Sequence, residues 1–193
     1  MRITKVYTKT GDAGQTRLAG GQQVWKDSLR VDVYGVIDEL NAAIGLVRVF
    51  TKDCLHEYPT LTRLEKEGRW IQNKLFDIGG IIATAPGQKL LRMPLVTDDD
   101  VRRLEQCMDE CQKTLAPLRD FVLPGGGKVS GFLHQARTIC RRAERRCVEL
   151  AKQESVEPAI IRFLNRLSDT LFVFARWVDM ICKEPDFLWE RDT

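Results

Sequence analysis

Pro158-Ala-Ile-Ile-Arg-Phe-Leu-Asn-Arg-Leu-Ser-Asp-Thr-Leu-Phe-Val-Phe-Ala-Arg-Trp-Val178 is the stretch on which the fold turns. Ile161, Leu164, Leu167, Leu171, Phe174 and Val178 recur mostly three or four residues apart, the spacing that lines up side chains on one face of an α-helix. Proline at its head suits a first helical turn, where its missing N–H would have had no partner. A helix this long with one apolar face must bury that face against other elements.

The same period appears four more times upstream. One helix is expected from about Ser130 to Lys152. Another runs from Leu29 to Phe50 through Val33, Ile37, Leu40, Ile44 and Val47, with Ser28 placed to cap it. A further one starts near Pro59, carries Leu61, Leu64, Ile71, Leu75 and Ile78, frays at Gly79-Gly80 and stops before Pro86. The last is capped by Asp98 to Asp100, runs through Leu104, Met108, Cys111 and Leu115, and is closed by Pro117. Residues 85–97 read as a loop and 121–127 as an irregular connection. Residues 1–27 form a glycine-punctuated arm with a short strand at Ile3 to Tyr7. Five long helices with little strand signal predict an all-α, up-and-down five-helix bundle. We read 1–193 as one domain, with the arm at 1–27, the bundle at 28–184 and a C-terminal tail at 185–193.

The 193 residues are 44% apolar and 30% charged, with a net charge of +3, so no global field points to nucleic acid or membrane. No stretch approaches the ~18 apolar residues of a membrane span. The N-terminus lacks a charged-then-apolar signal, and a motif that begins at Thr8 leaves no room for a transit peptide. The expected location is cytoplasmic. Six cysteines without a CxxC pair, and only two histidines, fit reduced thiols rather than a zinc site.

Local charge is more informative. In His134-Gln-Ala-Arg-Thr-Ile-Cys-Arg-Arg-Ala-Glu-Arg145, helical spacing puts His134, Arg137, Arg141, Glu144 and Arg145 on one polar stripe. Cys140, Cys147 and Leu150, with Ala136 and Ala143 nearby, fall on another side and face the core. Clustered guanidiniums repel unless an anion sits among them, and arginine makes forked contacts to phosphate. Two readings stand open at this point: a polyphosphate clamp, or a solvated basic face held by pairing with Glu144. Arg162, Asn165, Arg166 and Asp169 on the next helix are placed to meet this stripe, and an asparagine among arginines can read a nucleotide.

The arm Thr8-Lys-Thr-Gly-Asp-Ala-Gly-Gln-Thr16 could present backbone N–H groups to an anion. It lacks the spacing of a P-loop, as does Gly125-Gly126-Gly127-Lys128-Val129. Asp38 and Glu39 lie among apolar residues, and two readings stand open: one of them is semi-buried and in need of a cationic partner, or the two are a routine exposed pair. Phe121 stands in a loop, either as an ordinary anchor or as an apolar wedge against a flat ligand.

Six stretches, in order and spanning nearly the whole chain, resemble the PduO-type ATP:cob(I)alamin adenosyltransferases. They are Tyr7-Thr-Lys-Thr-Gly-Asp-Ala-Gly-Gln-Thr16, Lys26-Asp-Ser-Leu-Arg-Val31, Tyr34-Gly-Val-Ile-Asp-Glu-Leu-Asn41, Phe121-Val-Leu-Pro-Gly-Gly126, Ala136-Arg-Thr-Ile-Cys-Arg-Arg-Ala-Glu-Arg145 and Leu164-Asn-Arg-Leu-Ser-Asp169. The chain departs from the pattern at Gln22-Gln23 and Trp25, where relatives more often carry arginine, and at Asp32, where glutamate is usual.

The resemblance implies a ferritin-like bundle assembled as a homotrimer with interfacial active sites. It implies ATP bound by Thr8, Lys9, Thr10, Gly11, Asp12, Gly14, Gln15, Thr16 and Arg17 of the arm, together with Lys26, Arg141, Glu144, Arg145 and Asn165. Asp38 would pair across the interface with Arg137 beside the corrinoid, with Asp169 also near it and Phe121 against the lower face of the ring. Arg137, Arg141 and Asp38 would be the catalytic set. Magnesium would accompany ATP with no dedicated protein ligand, and a reductase would supply electrons to cob(II)alamin.

Two rival readings predict different products. A nucleotide kinase or hydrolase would release ADP or AMP and phosphate. A corrinoid chaperone or purely structural bundle would show no dependence on ATP.

Overall fold

The computed structural model describes residues 7, 9–88, 95–118 and 120–190. Among them are five α-helices: α1 (Leu29–Cys54), α2 (Thr62–Ile82), α3 (Asp98–Gln112), α4 (Lys128–Ala151) and α5 (Pro158–Cys182). A two-stranded antiparallel hairpin, β1 (Gln15–Arg17) and β2 (Gln23–Trp25), precedes them. The helices pack in the spatial order α2, α1, α4, α5, α3. Ion pairs Arg103–Glu67 (2.9 Å) and Arg63–Glu110 (2.6 Å) link α3 back to α2. No helix among the described residues is long and apolar enough to cross a membrane.

α5 lies between α4 and α3, and Phe163, Leu164, Leu167, Leu171 and Phe174 are fully buried. Ile161, on the same predicted face, is only partly buried at the edge of the core. The α4 strip Ala136, Cys140, Ala143, Cys147 and Leu150 is sealed from solvent, as the spacing predicts. Four of these five side chains are small, which brings the α4 backbone close to its neighbours: the Cys140 Sγ lies 3.2 Å from the Leu164 carbonyl of α5.

Several boundaries differ from the sequence expectation. Pro59 begins a single 3-10 turn, and α2 proper starts at Thr62. α2 does not fray at Gly79-Gly80 but continues to Ile82. Ile78 and Ile82 are buried there, and their burial outweighs the roughly 1 kcal/mol that each helical glycine costs. Asp98 to Asp100 do not supply the cap of α3. Thr97 is the N-cap, in a capping box with Asp100, while the three aspartates occupy the first turn, where the helix dipole favours negative charge. α3 ends at Gln112, short of Leu115 and Pro117. Ser28 occupies the N-cap position of α1 without a side-chain capping bond.

The strand expected at Ile3 to Tyr7 lies outside the described residues but for Tyr7. Among the described residues the β-structure of the arm is the β1–β2 hairpin, where Leu18 to Gln22 turn the chain through Gly21 at φ +88°. Leu18 is buried, and the Ala19 N–H donates to the Ala83 carbonyl (2.8 Å), docking the hairpin on the end of α2. Arg30, also buried, completes that corner. Its Nη1 donates to the carbonyls of Ile82 (2.6 Å) and Thr84 (3.0 Å), and its Nε to Glu154 (2.9 Å) just past α4.

Candidate functional site

The basic run of α4 divides into two faces. Arg142 is paired with Glu39 of α1, and Arg146 with Asp32 (2.9 Å) and Glu149 (2.7 Å). Arg137, Arg141 and Arg145 have no ion pair among the described residues. Glu144 does not neutralise them by contact, since its Oε1 instead accepts a hydrogen bond from the Asn165 Nδ2 (3.0 Å). The Arg137 Nε is buried and unpartnered. Burial, and then the Arg141 charge, lower the Arg137 pKa below its ordinary value. Packing thus holds a desolvated cation beside a second one, a state that an incoming anion relieves.

Arg137 and Arg141 line a cavity of about 380 Å³ between α3, α4 and α5, together with Asp169, Met108 and Phe172. Asp169 receives Arg166 (3.1 Å), which also reaches Glu105 of α3 (2.9 Å). His134 does not belong to the exposed stripe. It is buried edge-on to Phe172, with ring centroids 6.1 Å apart, and burial pushes its pKa down.

The arm forms a second polar concavity, of about 430 Å³, lined by Thr10, Gly11, Gln15, Thr16 and Arg17 with Gln23. Thr8 lies outside the described residues. Lys9 (φ +59°) and Gly14 (φ +85°) take left-handed conformations that curl the loop. The Gly14 N–H donates to the Gly11 carbonyl (3.2 Å), and the Lys26 N–H to the Gly14 carbonyl (2.9 Å). The Lys26 ammonium lies against Gly11, where a Cβ would stand 3.2 Å from it. Lys26 therefore packs against the arm, while Asp12 is exposed at the loop surface.

Asp38 and Glu39 are both exposed, the second of the two readings the sequence leaves open. Neither is covered because both point off the solvent side of α1, while Ile37 and Leu40 take the core. Asp38 lines a largely apolar cavity of about 270 Å³ with Tyr34, Asn41 and Phe76. It makes no ion pair among the described residues, and Arg137 of the same chain lines a different cavity.

Phe121 is 74% exposed. Its mount is an antiparallel bridge between Val122 and Leu188 of the C-terminal tail. The Trp189 N–H donates to the Phe121 carbonyl (2.8 Å) and the Leu123 N–H to the Phe187 carbonyl (2.7 Å). The Trp189 ring meets Phe121 edge-on at 6.2 Å. Sequence patterns do not single out Trp189, Arg30 or Asp179. Of the three, only Asp179 leaves a visible signal, as one of two charged residues, with Arg176, inside the largely apolar run Val173 to Ile181.

Comparison with known proteins gives this geometry a context. Residues 6–178 match the family model for cobalamin adenosyltransferase. A corrinoid adenosyltransferase of Bacillus subtilis is 45% identical over 187 residues, covering 97% of this chain and 93% of the relative. A cobalamin adenosyltransferase of Cupriavidus metallidurans is 41% identical over 191 residues, covering 99% and 97%. A PduO-type ATP:corrinoid adenosyltransferase from Lactobacillus reuteri, solved with cobalamin and ATP as a phenylalanine-to-alanine variant, superposes with a TM-score of 0.87 at 36% identity, covering 97% of this chain and 100% of that one. A match that begins in the arm and runs to the last turns of α5, at this level of identity, means that the chain belongs to the cobalamin adenosyltransferase family.

Proposed function

We propose that this protein transfers the 5′-deoxyadenosyl group of ATP to the cobalt of cob(I)alamin, giving adenosylcobalamin and triphosphate. The observation that carries the reading, within this family, is the sorting of α4: Arg142 and Arg146 are neutralised by carboxylates, while Arg137, Arg141 and Arg145 make no ion pair among the described residues.

Co(I) supplies the electron pair. It attacks the 5′ carbon, a cobalt–carbon bond forms, and the carbon–oxygen bond breaks with its electrons leaving on triphosphate. Negative charge grows on the leaving oxygen, where Arg141 and Arg145, with Lys26 and the arm from Thr8 to Arg17, stabilise it. Asn165, held to Glu144, reads the nucleoside. No side-chain base is required, because cobalt carries no proton to remove, and His134 is a core residue. Among the described residues no three His, Cys, Asp or Glu side chains gather to hold a metal. Magnesium arriving with ATP would be held largely by phosphate oxygens and water, and would offset leaving-group charge.

The pieces lie in separate cavities of one chain, which supports assembly as a homotrimer with sites between subunits. In it, Asp38 of one subunit pairs with Arg137 of its neighbour beside the corrinoid, near Asp169. Phe121 takes the lower face of the ring and keeps the cobalt free of a lower ligand. Losing that ligand lowers the orbital to be filled and eases reduction of cob(II)alamin by a separate reductase; the redox chemistry itself belongs to the corrinoid. The work is done in the cytoplasm, and direct delivery of the product to an acceptor enzyme is compatible with this scheme.

The test is anaerobic incubation with ATP, Mg²⁺ and chemically generated cob(I)alamin. The expected result is loss of the Co(I) absorption band, a light-sensitive alkylcobalamin and free triphosphate. ADP and phosphate as products, or cobalamin binding without ATP dependence, would overturn the assignment.

A further inference from the structure

A ring that displaces a ligand from cobalt must resist being pushed back, and any role for the residues that brace Phe121 rests on that reading of the proposed function. The tail secures one side of the Phe121 segment. The other side runs directly into Gly125-Gly126-Gly127 and then α4. A glycine run is floppy unless something fixes it.

Asp179 is placed to do so. It comes from the last turns of α5, is 5% exposed and has Val178 buried beside it. Its Oδ1 accepts the Gly127 N–H (3.2 Å), and Gly127 is the N-cap of α4, whose dipole favours a carboxylate. Gly126 sits at φ +85°, and a Cβ there would lie 2.5 Å from the Asp179 carboxyl carbon. The missing side chain of Gly126 is thus the space the carboxylate fills. The Ser130 Oγ, 2.9 Å from the Gly125 and Gly127 carbonyls, ties the same loop to the first turn of α4. Burial pushes the Asp179 pKa up, so the acid is kept here against a desolvation cost that an apolar residue would not incur. Three residues away along α5, Arg176 donates to the Ala116 carbonyl (3.1 Å) and lies 3.5 Å from Asp186 at the root of the tail. One end of one helix therefore grips both flanks of the Phe121 mount.

We propose that Asp179 is a positioning residue for Phe121: by locking the Gly126-Gly127 turn it stiffens the loop that holds the ring where cobalt's lower ligand would return. The residue is buried and acts through the loop.

The experiment uses the full chain with cob(II)alamin, ATP and Mg²⁺, read by electron paramagnetic resonance for four-coordinate cob(II)alamin. In parallel, turnover is measured with chemically generated cob(I)alamin, which has no lower ligand to displace. Asp179→Ala is expected to cut the four-coordinate fraction severalfold, while cob(I)alamin turnover and the KM for ATP stay close to wild type. Asp179→Asn, which keeps an oxygen for the Gly127 N–H, is expected to restore most of the signal. An unchanged four-coordinate fraction in Asp179→Ala would overturn the proposal, as would equal losses in both assays, which would mark a general structural role. Should Asp179→Ala be unfolded at the assay temperature, Gly126→Ala decides by the same split, since its methyl group displaces the carboxylate from the loop side. A wild-type protein with no four-coordinate species would instead sink the Phe121 reading itself, before any variant is compared.

Discussion

Glu39 on α1 holds the guanidinium of Arg142 on α4, and the next residue back along α4, Arg141, makes no ion pair among the described residues and lines the cavity instead. Neighbours in sequence point to opposite duties, one toward structure and one toward the cavity. Arg141→Ala should cost about 2–4 kcal/mol of transition-state stabilisation, seen as a fall in kcat/KM with cob(I)alamin. Arg142→Ala removes a surface pair and should shift stability by less than about 1 kcal/mol, with turnover unchanged. Steady-state kinetics of the two variants side by side check the assignment, and equal losses would refute it.

Arg30 is predicted to matter for stability rather than chemistry. Replacing it with Met keeps much of the apolar stem but leaves two carbonyls at the end of α2 without their charged donor. Loss of hydrogen bonds from a charged group should cost about 2–3 kcal/mol. A lowered urea midpoint with a near-normal slope is the expected outcome. An unchanged midpoint would mean that this corner carries little of the fold's stability.

Gly14 sits at φ +85° and passes the chain to Lys26 through its carbonyl. Gly14→Val puts a branched side chain into a left-handed conformation that costs roughly 1–2 kcal/mol locally. With Lys26 shifted, the KM for ATP should rise several-fold or more, in the sense of about 1 kcal/mol per few-fold change, while the melting temperature changes little. Normal ATP affinity in this variant would detach the arm from nucleotide binding.

His134 gives a pH dependence with a definite sign. Its folded-state pKa is lowered below 6.5 by burial, then by Arg137, with Asp186 opposing. The unfolded chain therefore binds a proton that the folded chain resists, and stability rises with pH across the window between the folded pKa and 6.5. Below that window the contribution is lost. Urea titrations at mildly acidic and neutral pH should show wild type weakening on acidification and His134→Gln weakening less. Equal slopes against pH would show that the ring titrates normally.

The helices were legible because their apolar residues keep one period over many turns, and long-range packing only reinforces that choice. Ends were less legible. Thr97, Asp98, Asp99 and Asp100 are all good caps by composition, and only the reciprocal bonds between Thr97 and Asp100 single out the first. Gly79-Gly80 looks like a break locally and is helical because its neighbours are buried from outside the segment. The arginine stripe could be seen on a helical wheel, but its division could not: Arg142 and Arg146 are claimed by Glu39 and Asp32, more than a hundred residues away. The roles of Asp179 and Arg30 are hidden for the same reason, since the Gly127 N–H, the α2 carbonyls and Glu154 that they meet are distant in sequence and brought to them by the fold. Asp38 and Arg137 remain apart in a single chain, so that proposed pairing was legible only through resemblance.

On the reverse of the helix that carries the arginines, Cys140 and Cys147 are sealed in the core, and burial pushes the Cys147 pKa up to about 12 and the Cys140 pKa well above 9. Sulfur attacks carbon only as thiolate, and at neutral pH neither residue supplies one. A protein that handles an activated 5′ carbon thus keeps these two soft nucleophiles protonated and out of reach of alkylation.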